Sequence, residues 1–174
     1  EILKNKIDLE TFTIDNMRIP LPDNSIDVVI TCHAIESNRK SMKSIIKELY
    51  RVSKLGLCLM EPHYEIGNSY QKKRMDYFRY IKNIPSFLKK QKYNYKIVKK
   101  NFHINSNNPS SIFIIKKNNS KNTSKLKFID PINGKNLTKI KNFYYCKDSC
   151  RLYPVFDGIT IFSNNSGIFL PKPK

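Results

Sequence analysis

Residues 11–36, TFTIDNMRIPLPDNSIDVVITCHAIE, decide how this chain folds. Residues 10–14 alternate weakly and stop at Asp15-Asn16, residue types that favour the start of a loop, so they read as a short strand. A turn-rich loop follows, and residues 26–31 are then an almost unbroken β-branched, apolar run. Such a run marks a strand buried on both faces of a parallel sheet. Beyond it Met42, Ile45, Ile46, Leu49 and Tyr50 recur at helical spacing, with Ser37 or Asn38 as the cap and Gly56 as the stop. Residues 57–60 give another buried strand. Strand, helix and strand joined by short loops imply a parallel crossover, which is right-handed in nearly all proteins.

Working outward, residues 69–81 place Tyr70, Arg74, Tyr77, Phe78 and Ile81 on one face of a helix capped by Ser69. Pro85 suits the first turn of a shorter helix running to Lys90. Residues 93–104 and 111–117 have the β-rich content of two late strands, and residues 116–125, KKNNSKNTSK, form a polar, basic linker without apolar period.

Asp15, the loop Leu21-Pro22-Asp23-Asn24-Ser25-Ile26-Asp27 and the strand that follows resemble, in that order, the middle of a class I S-adenosylmethionine-dependent methyltransferase of the type 11 kind. SMKSIIKELYRVS at residues 41–53 and GLCLMEP at 56–62 extend the likeness to the family's next helix and strand, although Ser53-Lys54-Leu55 replaces the usual "LKPGG" turn. The resemblance implies an α/β fold with a partial Rossmann-like sheet, closed by an antiparallel pair. It implies S-adenosylmethionine as cofactor, with Asp15 near the adenine amino group, Asn16 and Met17 flanking the ring, and Cys32 at the strand end. His33 and Glu36, at the carboxyl end of the same strand, are the candidate catalytic residues. An imidazole titrates near neutrality and can act as general base. Glu61, Pro62, His63 and Tyr64 are expected to line the acceptor pocket from the next strand.

No acidic-x-Gly-x-Gly loop occurs, and the chain has only five glycines. That loop lets backbone approach a cofactor closely, so the expectation is a C-terminal part of a longer enzyme, inactive by itself. The expected domains are residues 1–117 for the methyltransferase part, 118–125 for the linker, 126–164 for a small β-rich domain and 165–174 for a tail.

The small domain carries Asp130-Pro131-Ile132-Asn133-Gly134, then Cys146-Lys147-Asp148-Ser149-Cys150, then Tyr153-Pro154-Val155-Phe156-Asp157-Gly158-Ile159. This series resembles the zinc-ribbon-like domain that activates tRNA and protein methyltransferases, with its first cysteine pair changed to Asp130 and Asn133. A structural zinc takes four ligands, mostly thiolate or imidazole, and Asn133 is a poor one. No metal is therefore expected, and Phe128, Leu137, Tyr145, Tyr153, Val155 and Ile159 are the expected core.

A net charge of +18 invites a nucleic-acid partner, because Lys and Arg neutralise phosphates. Lysine far outnumbers arginine, however, and the chain is rich in Asn and Ile, which also fits an AT-biased coding sequence. Four cysteines, two of them in apolar strands, suit a reducing, cytoplasmic setting rather than a disulfide scaffold. No apolar run approaches the roughly 20 residues of a membrane span. The leading expectation is methyl transfer to a small molecule, a glycan precursor or RNA. Its rivals are a non-catalytic binding or activator subunit on a partial Rossmann scaffold, and a basic RNA-binding module.

Overall fold

The computed structural model describes residues 10–14, 18–100, 107–118, 126–163 and 168–169. It divides into two compact units, Asp23–Leu126 and a second made of Glu1–Pro22 with Lys127–Lys174.

The Asp23–Leu126 unit is built on four strands. β2 (Ile26–Cys32) runs parallel to β3 (Ser53–Pro62) through α1 (Met42–Val52), and β5 (Ser110–Lys116) lies antiparallel between β3 and β4 (Asn94–Lys99). The order is therefore β2-β3-β5-β4. The closing antiparallel pair is present as expected. Alternate residues of β3 and β5, Leu57, Leu59, Phe113 and Ile115, are almost fully buried with Met42 and Ile46 of α1 and with Ile84, Phe87 and Leu88 of α3 (Ile84–Lys90). A strand's side chains alternate between faces, so these residues define one covered face. On the other face Ile30 of β2 is 64% exposed and Val28 47%. The expectation of a strand buried on both sides thus fails for β2, whose outer edge also pairs with no described strand.

Several local expectations shift for physical reasons. α1 starts after Ser41, not Ser37 or Asn38, and no side chain caps it. Its far end is capped by a lysine: Lys117 Nζ donates to the carbonyls of Tyr50 at 2.8 Å and Ser53 at 2.9 Å. A cation is favoured there by the exposed carbonyls and the helix dipole. Gly56 is no helix stop but an interior residue of β3, with φ 143°. A Cβ at Gly56 would lie 2.0 Å from the Ile115 carbonyl oxygen, so the close approach of β5 requires glycine. α2 (Ser69–Tyr77) is capped by Asn68, not Ser69, in a reciprocal box with Gln71, each bond 2.9 Å long.

In the second unit β1 (Thr11–Ile14) pairs in parallel with β9 (Ile159–Phe162), not in the sheet of β2. This groups residues up to Pro22 with the C-terminal part, unlike the expected 1–117 division. β8 (Arg151–Phe156) occupies one edge of β9, and β1 satisfies the backbone groups along the other. Beyond β8 the sheet continues through β7 (Phe143–Cys146) and β6 (Thr138–Ile140). Asp157-Gly158, both at positive φ, make the tight turn between β8 and β9. Inside the span read as a tail, β10 (Ile168–Phe169) pairs with β8. The core is aromatic. Phe12 and Phe162 join Phe128, Tyr144 and Tyr153, with Phe128 and Phe162 centred 4.9 Å apart, whereas Ile159 is exposed.

The two faces of the β2–β5 sheet should respond differently to substitution. Leu59→Ala is expected to cost about 2–5 kcal/mol in urea denaturation, as cavities in buried cores do. Ile30→Lys, on the open face, should cost less than about 1 kcal/mol.

Candidate functional site

Most buried polar residues of the larger unit, Thr31, Glu61, His63, Asn108, Ser110 and Ser111, lie at or just beyond the carboxyl ends of β2 and β3, where open α/β sheets bind ligands. Directly after Cys32 the chain turns through His33, whose φ of 50° is a left-handed conformation that a non-glycine residue rarely takes. The turn is pinned by the His33 amide, which donates to Met60 O at 2.9 Å. It brings His33 Nδ1 to 2.7 Å from Glu36 Oε2 and Nε2 to 3.1 Å from Ser110 Oγ. An ionised carboxylate only accepts, so Nδ1 carries a proton and Nε2 of the neutral ring is the acceptor. Ser110 Oγ also lies 3.2 Å from Asn108 O. The hydroxyl can therefore donate to neutral Nε2, or turn to Asn108 and accept from an imidazolium.

Beneath this pair Glu61 is fully buried, with Oε1 accepting from the Ala34 amide at 3.1 Å. Neither Glu61 Oε2 nor Thr31 Oγ1, both buried, has a partner at hydrogen-bonding geometry. Burial raises the Glu61 pKa, against the pull of the nearby Thr31 hydroxyl, the Ile35 and Ala34 amides and the His33 charge. A second histidine, His63, mirrors the first: its Nδ1 is 2.7 Å from Ser111 Oγ. Glu65 stands 3.6 Å from Nε2, beyond hydrogen-bond range. Burial lowers the His63 pKa, Glu65 opposing and Lys100 assisting, so the ring stays neutral and packs against Phe113. Adjacent strand residues point to opposite faces, which is why Ser110 and Ser111 serve one histidine each.

The structure thus brings His33 and Glu36 into direct contact and places the exposed Cys32 thiol next to them in the chain. Asp15, Asn16 and Met17 lie outside the described residues. Sequence reasoning missed Ser110 and its bond to His33. The available signal was a pair of serines opening the otherwise apolar strand SSIFIIK. Four glycines have described surroundings, and a Cβ at Gly56, Gly67 or Gly134 would meet this chain's own atoms while Gly158 faces open space. None forms a cradle for a nucleoside cofactor.

Residues 2–59 match a family model described as "Methyltransferase domain". The match supports a class I S-adenosylmethionine-dependent methyltransferase domain. It covers about a third of the chain, takes in β1, β2, α1 and most of β3, and crosses the boundary between the two units at Pro22. No curated protein and no solved structure matches the chain. No helix among the described residues is long and apolar enough to cross a membrane.

In the smaller unit a hydrogen-bonded carboxylate stands at one of the positions read as altered metal ligands. Asp130, fully buried, accepts from the Ile132 amide at 2.8 Å, from Tyr153 Oη at 2.9 Å and from Ser149 Oγ. Burial pushes its carboxyl up, but Ser149, the Ile132 amide, Cys146 and Tyr153 outweigh that and hold it below the ordinary value of 3.8. Among the described residues no group of three His, Cys, Asp or Glu is placed to hold a metal ion.

Two pH dependences follow from these carboxyls. Glu61, raised in the fold, stabilises fully below its ordinary value of 4.5, and that contribution is lost as pH rises through its folded pKa. Glu61→Gln should remove this loss, so its stability advantage over the parent should grow from pH 4.5 upward in a urea series. The opposite slope from His63 is common to both proteins and cancels in the difference. Asp130, depressed in the fold, stabilises above 3.8, and this is lost as pH falls through its folded pKa. Asp130→Asn should destabilise the smaller unit by about 1–3 kcal/mol at neutral pH, with the gap closing in acid.

Proposed function

We propose that this chain supplies the acceptor side of an S-adenosylmethionine-dependent methyltransferase, with His33 as the general base. The observation that carries the reading is the Glu36–His33–Ser110 chain at the carboxyl ends of the parallel strands. Support also comes from the family match over residues 2–59 and from the closing antiparallel strand between β3 and β4. The cofactor, when bound, supplies an electrophilic methyl group. The chain's own part is to hold a proton acceptor. Glu36 fixes the tautomer that leaves Nε2 free of a proton, and it stabilises the imidazolium formed when a hydroxyl or amine of a small molecule or glycan precursor gives up its proton. Ser110 then accepts from Nε2 and donates to Asn108. Glu61 supports the turn through the Ala34 amide.

The smaller unit fits the part of a ribbon-like companion domain in which the Asp130 network replaces a metal. A second reading, a non-catalytic binding or activator subunit, is favoured by one observation: no described glycine forms a cofactor cradle.

Titration with S-adenosylhomocysteine, followed by amide NMR, separates the two. The methyltransferase reading expects saturable shifts centred on residues 32–36 and 61–64, with weak, roughly millimolar affinity if only one side of the site is engaged. Shifts absent at several millimolar ligand would favour the non-catalytic reading. In a methyl-transfer assay of the complete enzyme, His33→Gln should lower kcat about 10²–10⁴-fold, the usual contribution of a general base.

A further inference from the structure

We propose that the outer surface between α1 and α3 binds the phosphate backbone of a single-stranded polynucleotide. A depression of about 670 Å³ lies there, and its charged lining is entirely cationic: Arg39, Lys43, Lys47, Lys82 and Lys90. A neighbouring depression of about 620 Å³ shares Arg39 and adds Lys40 and Arg79, with Asp76 as its one acid. Together they hold seven cations and one carboxylate, against 32 and 14 in the whole chain. The excess of cations over acids here is greater than in the chain as a whole.

Asp76 offsets the charge of two of these cations, Arg39 and Lys82, and leaves Lys40, Lys43, Lys47, Arg79 and Lys90 with no salt bridge among the described residues. It is engaged by Arg39 at 2.9 Å, by Lys82 at 3.2 Å and by the Tyr64 hydroxyl at 2.7 Å. Arg39 is further fixed by the carbonyls of Tyr80 and Met75, which makes it a rigid centre for the track. Lys43 and Lys47 stand four residues apart on the exposed side of α1, a spacing at which like charges repel and weaken a helix. No salt bridge to either is found among the described residues. A row of phosphates would relieve this repulsion, and fixed cations lining a groove are what tracks a polynucleotide backbone.

The second requirement of single-strand binding, a stacking surface, is met beside Arg79. Tyr77 is 81% exposed and Phe78 48% at the end of α2, their rings 5.0 Å apart, and the Arg74 guanidinium lies 4.8 Å above Phe78. Bases stack on exposed aromatics without regard to sequence, so the preference should be for unpaired strands over duplex. Binding here is separate from methyl transfer and holds whichever reading of the His33 site is right.

The test is fluorescence anisotropy with a labelled twelve-residue oligo(U), and with oligo(dT) and a duplex of equal length, over 50–300 mM salt. Expected are tighter binding of the single strands than of the duplex and a log–log salt slope of about −2 to −3.5, at about 0.7 per phosphate contacted. The RNA and DNA arms then tell whether the 2′-hydroxyl is read. Lys43→Gln with Lys47→Gln should weaken binding at least ten-fold and flatten the slope by about 1.4. Tyr77→Ala should weaken it with the slope unchanged. A control pair of equal charge loss in the other unit, Lys139→Gln with Lys141→Gln, should do neither. Equal losses from both pairs, or duplex preferred over single strands, would overturn the proposal and leave only non-specific attraction to a +18 chain. Circular dichroism of each variant confirms that the exposed substitutions leave the fold intact.

Discussion

Everything in the larger unit depends on how closely β5 can approach β3. Gly56 makes that approach possible, since any side chain there would collide with the Ile115 carbonyl. Once the strands lie in register, Leu57 and Leu59 meet Ile115 and Phe113 on the covered face, and Glu61 and Pro62 stand opposite Ser111 and Ser110. The same register that builds the core therefore brings both serines to the carboxyl ends of β2 and β3. Core and candidate site are two ends of one strand pairing, and a change at Gly56 would damage both.

The site carries the marks of a place where stability is given up. A buried carboxylate with one oxygen unpartnered, a non-glycine residue at positive φ and a neutral buried histidine each disfavour the fold to some degree. Such features persist when the surroundings fix them: the Met60 carbonyl holds the His33 amide, and Glu61 holds Ala34. They give His33 one tautomer and one orientation, which an exposed histidine on a loop would lack. The smaller unit follows a different economy. Its polar centre, Asp130, is satisfied by three donors, one of them the hydroxyl of the buried Tyr153.

Most of the larger unit was legible in the sequence because its elements carry strong local signals. The β-branched run of β2, the helical period of α1 and the placement of Pro85 each predicted an element within a few residues. His33 and Glu36 were legible as candidates through their place after the strand, whereas their contact is a fact of the folded turn. What could not be read were facts of tertiary pairing. Ser110 lies 77 residues from His33, and nothing local announces their bond. The pairing of β1 with β9 joins the two ends of the chain, while β1's own sequence says only that it is a strand. Gly56 was misread because a glycine after a helix usually ends it, and only the proximity of Ile115 shows its other purpose. The basic track is likewise invisible in the charge total, since it arises from α1 and α3 lying side by side.

The most direct test of the methyltransferase account is to irradiate the protein with radiolabelled S-adenosylmethionine and map the labelled peptide. Label concentrated in residues 27–36 or 57–64, and competed away by S-adenosylhomocysteine, is the predicted result. Label confined to other segments, or incorporation that the product analogue does not compete, would contradict the placement of the site at the carboxyl ends of β2 and β3.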